Sequence, residues 1–192
     1  MKRGLLGVAA FALGLSVATV RAQAQETTTT TTRPVRFGVS AGLSIPTGDF
    51  GDVVNTGFNL NGLVEGKLTT VPISLRGEFT FAHFGFDESV LGVGGSERVL
   101  AGIADVLYYF PVRSSSGTVI RPYVIGGPGI YNFRASPDNG PSGSVTKFGL
   151  NVGGGVEFQL SGFSTFGEVR YHTVFTEGSN SNMLPFSFGV KF

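Results

Sequence analysis

From Arg36 to Phe192, apolar and polar residues alternate in segments of about ten residues, the length a tilted strand needs to cross a bilayer. A period of two is the side-chain spacing of a strand, and it argues against helix over most of the chain. In the first segment Phe37, Val39, Ala41, Leu43 and Ile45 share one parity and Arg36, Gly38, Ser40, Gly42 and Ser44 the other, until Pro46-Thr47-Gly48-Asp49 ends the run with turn residues. The second sets Phe58, Leu60, Val64 and Leu68 against Asn59, Asn61, Glu65 and Lys67. The third sets Ile73, Leu75, Phe79 and Phe81 against Ser74, Arg76, Glu78 and Thr80. The fourth, Val99 to Phe110, is more apolar on both faces and carries Asp105; the fifth runs from Ile120 to Phe133. The sixth sets Phe148, Leu150, Val152, Val156 and Phe158 against Lys147, Asn151, Glu157 and Gln159. The seventh, Ser164 to Phe175, has Glu168, Arg170 and His172 on one parity, and the eighth is the terminal run Phe186 to Phe192. The expected fold is all-β: an eight-stranded antiparallel up-and-down transmembrane β-barrel spanning 36–192, whose even strand count returns both ends to one side.

A soluble barrel would show the same alternation turned inside out, so residue size has to decide. Gly38, Gly42, Gly149, Gly153, Gly155 and Gly189 fall on the polar parity, while most of the large aromatics fall on the apolar one. A barrel of about eight strands has an interior just filled by side chains, so those aromatics belong on the outside, against lipid. Arg36, Lys67, Arg76, Arg121, Lys147, Arg170 and Lys191 share the polar parity with Glu65, Glu78, Asp105, Glu157 and Glu168, a near-balance that lets them pair in the lumen. Phe37, Tyr108, Phe110, Phe158 and Phe192 are expected to form a periplasmic aromatic belt, and Phe58, Phe81, Phe148, Tyr171 and Phe186 an outer one. The longer polar or Gly-rich connections 47–56, 86–97, 134–144 and 176–183 are then exterior loops, and Thr69 to Pro72 a periplasmic turn, with Pro111 to Val119 a longer one on the same side.

Ahead of the barrel, basic Met1-Lys2-Arg3, apolar Gly4 to Val20 and the small-x-small Ala22-Gln23-Ala24 read as a secretory signal peptide over residues 1–24. Residues 25–35, with threonine throughout 27–32, read as a flexible periplasmic leader. After Ala24 there is no uncharged apolar run of the roughly 20 residues that a helical span needs, so insertion must use strands. Without Lys2, Arg3 and Arg21 the 13 acidic residues outnumber the basic ones, which leaves no basic surplus for nucleic acid. With no cysteine the chain has neither disulfides nor thiolate metal sites and meets an oxidising compartment without pairing errors.

These segments resemble the small outer-membrane β-barrel domain family that includes the OmpA transmembrane domain and OmpX. The resemblance is carried by the first strand with its Gly48-Asp49-Phe50 exit, Arg121-Pro122-Tyr123-Val124 with Gly127 and Gly129, Phe148 to Phe158, Glu168-Val169-Arg170-Tyr171-His172, and Leu184 to Phe192. It implies residence in the cell outer membrane with both termini periplasmic, a monomer, and partners among outer-membrane lipids and lipopolysaccharide. It also implies delivery by the barrel assembly machinery through Phe192, and the chain's stop there implies that no peptidoglycan-binding domain follows. The function it implies is structural, adhesive or surface-interacting through the exterior loops, without an open pore.

Glu168, Arg170 and His172, together on one strand face, are the strongest catalytic candidates, and the alternative is a lumenal ion pair beside an imidazole. The rival function is a lipid A-modifying enzyme. Deacylase barrels resemble this chain but use a His-x-Ser pair, and here Val174 stands two residues after His172, with Ser179 and Asn180 farther off. His83, Asp87 and Ser89 resemble, in residue type alone, the barrel palmitoyltransferases. Two histidines without cysteine predict no metal centre, and Gly127-Pro128-Gly129 and Gly153-Gly154-Gly155 open no helix, so no nucleotide cofactor is expected. The expectation is therefore a chain without a catalytic, cofactor or metal site.

Overall fold

The alternating segments pair edge to edge and close on themselves. In the computed structural model, which describes residues 35–68, 70–111, 119–176 and 180–192, the strands are β1 (Val35–Thr47), β2 (Gly57–Lys67), β3 (Ile73–Gly85), β4 (Gly95–Tyr109), β5 (Val119–Pro137), β6 (Gly143–Gln159), β7 (Ser164–Phe175) and β8 (Asn180–Lys191). They form one closed barrel in sequence order with every neighbour antiparallel. The seam joins β1 to β8 from Gly38 opposite Lys191 to Thr47 opposite Asn182. Gly42 is required there, because a Cβ would stand 1.7 Å from the Phe186 carbonyl oxygen. The signal peptide, almost all of the leader, and most of the Pro111 to Val119 turn lie outside the described residues.

One rim carries Val35 and Lys191 and is called the terminal rim; the opposite one is the loop rim. At the loop rim the strands run farther than the alternation indicates. β5 and β6 stay paired from Val119 opposite Gln159 to Ala135 opposite Gly143, so much of 134–144, expected as loop, is hairpin. Within 86–97, β4 already starts at Gly95, and a short helix α1 (Glu88–Leu91) precedes it. Beyond the apolar band the hairpin faces lose the contrast between lipid and lumen, so the period fades although the backbone ladder continues.

The outward face is apolar along the band: Phe37 is 65 % exposed, Val152 62 % and Phe188 76 %. A contiguous apolar wall of this kind needs lipid around it. At the terminal rim Tyr108 and Phe110 meet edge to face and Phe163 joins Phe192. At the loop rim Phe58 packs on Phe81 and Phe148 stacks on Phe175. Phe163 and Phe175 thus join the belts, whereas Phe186, expected in the outer one, lies midway along β8 opposite Leu43. Lys67, expected in the lumen, is exposed at the end of β2, where the strand leaves the barrel.

In detergent, the purified barrel is expected to give a β-rich circular dichroism spectrum and to migrate differently on gels before and after boiling. A mainly helical spectrum would contradict the fold.

Candidate functional site

Inward parity fills the lumen in two layers. The layer toward the terminal rim is ionic, with five carboxylates, Glu65, Glu78, Asp105, Glu157 and Glu168, paired with five cations, Arg36, Arg76, Arg121, Arg170 and Lys191. Glu65 binds Arg36 at 2.6 Å, Lys191 at 2.9 Å and Arg76 at 3.1 Å. Glu157 binds Lys191 and Arg36, each at 2.8 Å, and Arg121 at 3.3 Å. Tyrosines complete the shell: Tyr109 donates to Glu65 at 2.8 Å and Tyr123 to Glu168 at 2.7 Å. The Lys191 ammonium also stands 4.8 Å from the centre of the Phe166 ring. Removing ten charges from water is tolerable because each has an opposite partner and hydrogen bonds from its neighbours.

The layer toward the loop rim is polar on the side of β1 and β2, where Asn59 donates to Ser44 at 3.1 Å and Asn61 to Ser40 at 2.9 Å, and apolar over the rest. Ala82 and Phe84 of β3, Val99, Ala101 and Ile103 of β4, Tyr131 and Phe133 of β5, Val174 of β7 and Met183 of β8 form one buried cluster with Phe50 and Val54, which come from the loop after β1. Phe50 meets Phe84 and Phe133 edge to face at 5.3 and 6.0 Å. Backbone hydrogen bonds tie that loop to the one after β3, Asn55 N–H donating to the Gly85 carbonyl at 2.8 Å and Asp87 N–H to the Val53 carbonyl at 3.0 Å. The first loop thus lies across the loop rim as an apolar plug, a feature that polar parity alone did not foretell.

Glu168 and Arg170 meet at 3.0 Å but are spent on structure. Glu168 also binds Arg76 at 2.8 Å, and Arg170 binds Asp105 at 3.1 Å and Glu78 as well. His172 stands apart from them, its Nδ1 2.9 Å from the Tyr131 hydroxyl. Its Nε2 is buried and has no hydrogen-bond partner among the described residues. His83 faces outward against Phe58, with ring centres 5.6 Å apart. Asp87 and Ser89 do come together, but as a helix cap: the Ser89 amide and hydroxyl donate to the Asp87 carboxylate at 3.0 and 2.5 Å and hold it below the usual carboxylate range. Among the described residues no serine hydrogen-bonds either histidine, and Ser179 lies outside them. No group of His, Asp and Glu fit to hold a metal ion occurs among the described residues.

Comparison with known proteins agrees with this architecture. Residues 10–192 match the family model of the outer membrane protein beta-barrel domain. Among solved structures, Neisserial surface protein A superposes with a TM-score of 0.63 at 17 % identity, over 83 % of this chain and 96 % of that one. A major outer membrane protein from Thermus thermophilus superposes with a TM-score of 0.53 at 15 % identity, over 83 % of this chain and 99 % of that one. The outer membrane enzyme PagL gives 0.48 at 19 % identity, over 82 % and 98 %. A search among curated proteins finds no match. The chain belongs to the outer membrane protein β-barrel domain family, and the outer membrane is its place.

Proposed function

We propose that the protein is a non-conducting barrel that acts at the cell surface through its loops, in a structural or adhesive role, as a monomer whose termini face the periplasm. The observation that carries this reading is the filled lumen. Phe84, Leu107, Val174 and Glu157 have no solvent exposure, and the loop after β1 lies across the mouth. Surface interaction is then left to the loop rim and the outer wall. In this reading outer-membrane lipids and lipopolysaccharide surround the wall, and the assembly machinery reads Phe192.

Planar bilayers test the lumen. The pure protein is expected to give no stable, porin-sized steps, and such steps would overturn the reading.

The runner-up is a lipid A-modifying enzyme, for which His172 is the first candidate. His172 is buried against Tyr131 on the lumenal face, away from the lipid-facing wall. His172→Gln is expected to leave the lipid A mass spectrum of expressing cells unchanged, as is deletion of the whole gene. Loss of a lipid A species in the His172→Gln strain, with the barrel folded, would favour the enzyme.

A further inference from the structure

On the outward face of β3, β4 and β5 the apolar wall ends at one rung. Phe79, Gly102 and Ile130 stand in register, and one rung nearer the loop rim Phe81, Leu100 and Asn132 do the same. The next rung is His83 opposite Arg98 and Arg98 opposite Arg134, and the one beyond pairs Ser96 with Ser136. These five residues line a recess of about 320 Å³ in the wall. Arg134 is exposed, and Arg98 and His83 are half-buried.

Like charges directly opposite on one face of an antiparallel pair repel. Every lumenal arginine offsets such a cost with a carboxylate, whereas the Arg98 and Arg134 side chains have neither an ion pair nor a hydrogen bond among the described residues. Glu97, between Arg98 and Ser96, lies on the inward parity opposite Phe84. Of the acidic groups of the adjoining loops, Asp87 is taken up by the Ser89 amide and hydroxyl, and Glu88 and Asp138 turn toward Gly94. Among the described residues the rung therefore has no anion of its own.

We propose that His83, Arg98 and Arg134 bind the phosphate monoester of a lipid headgroup in the outer leaflet. Two guanidinium forks match phosphate oxygens in bidentate geometry, and the Ser96 and Ser136 hydroxyls flank the same recess as further donors. Directly below, Phe81, Leu100, Ile130 and Phe148 offer the surface on which the acyl chains of such a lipid lie. Position matters as much as charge, since the basic rung sits where the wall changes from apolar to polar, the level of headgroups. The proposal rests on the reading that the loop rim faces outward, which labelling of a tag inserted in loop 138–142 on intact cells checks separately.

The test uses the full barrel in phosphatidylcholine nanodiscs doped with bisphosphorylated lipid A, with lipid retained on the ejected protein measured by native mass spectrometry. Arg98→Gln/Arg134→Gln is expected to lower retention about tenfold or more, tenfold corresponding to about 1.4 kcal/mol. Lys67→Gln, at the opposite rim, should leave retention unchanged, and dephosphorylated lipid A should not be retained by the parent protein. Gel mobility before and after boiling verifies folding; if the double variant does not fold, the exposed Arg134→Gln alone serves. Equal retention by the glutamine variant, equal retention of the dephosphorylated lipid, or an equal loss in Lys67→Gln would overturn the site. Displacement of lipid A by inorganic phosphate at similar concentration would show a free-anion site and overturn the lipid assignment.

Discussion

Replacing Arg170 by Leu is expected to lower the stability of the folded barrel by about 3 to 5 kcal/mol, the cost of leaving a buried charge without its partner. The effect is large because three carboxylates lean on one guanidinium. Asp105 stands 3.1 Å from it and Glu168 3.0 Å, and Glu78 makes a third contact. Glu168 retains Arg76 and Tyr123, so Asp105, left with Asn151 at 2.7 Å, is the group stranded most. Urea unfolding in detergent, followed by circular dichroism or by loss of gel mobility shift, measures the loss, and Arg170→Lys should recover part of it. A loss of no more than about 1 kcal/mol, the scale of an exposed pair, would show a hydrated lumen instead.

Deleting Phe192 is expected to reduce outer-membrane yield in cells far more than it reduces refolding yield in detergent. The residue closes the seam through two backbone hydrogen bonds, Phe192 N–H to the Phe37 carbonyl at 2.8 Å and Phe37 N–H to the Phe192 carbonyl at 3.3 Å. Losing those bonds costs about 0.5 to 1.5 kcal/mol each. The ring, half exposed beside Phe163, adds less than the roughly 1.5 to 3 kcal/mol of a fully buried side chain. Both terms act equally in a cell and in detergent. Any excess loss in cells therefore measures reading of the terminal aromatic by the assembly machinery, and equal losses would reduce Phe192 to packing.

Strand number, antiparallel order and, Lys67 excepted, the paired inward charges are legible in the sequence, because the alternation of each segment is a property of every residue and its neighbour. The alternation of β7 runs from Ser164 to Phe175, its bounds in the structure. The pairing of those charges was not legible, since parity says which face a group occupies and not its height around a tilted barrel. His172 shares a face with Arg170, yet its partner is Tyr131, two strands away. The plug is not legible because Phe50 and Val54 lie in a loop, outside any period. Its signal was nevertheless present: the inward parity turns from Arg76 and Glu78 to Ala82 and Phe84 along β3, and from Asp105 to Ile103, Ala101 and Val99 along β4. The basic rung is hidden for the opposite reason, because Arg98 and Arg134 sit on the parity of the apolar wall.

The lumenal charges are not shared evenly along the chain. The first four strands contribute Arg36 and Arg76 against Glu65, Glu78 and Asp105, and the last four contribute Arg121, Arg170 and Lys191 against Glu157 and Glu168. Each half-sheet alone is thus off neutrality, the first toward negative and the second toward positive, and only their union cancels. An open half-sheet in hydrocarbon would expose an uncompensated charge as well as an unpaired edge, both strongly disfavoured. Attraction between the halves therefore acts in the same direction as edge pairing, toward a ring that closes in one cooperative step. Opening must proceed the same way: parting β1 from β8 draws Lys191 away from Glu65, and Arg36 away from Glu157, before any strand has left the membrane.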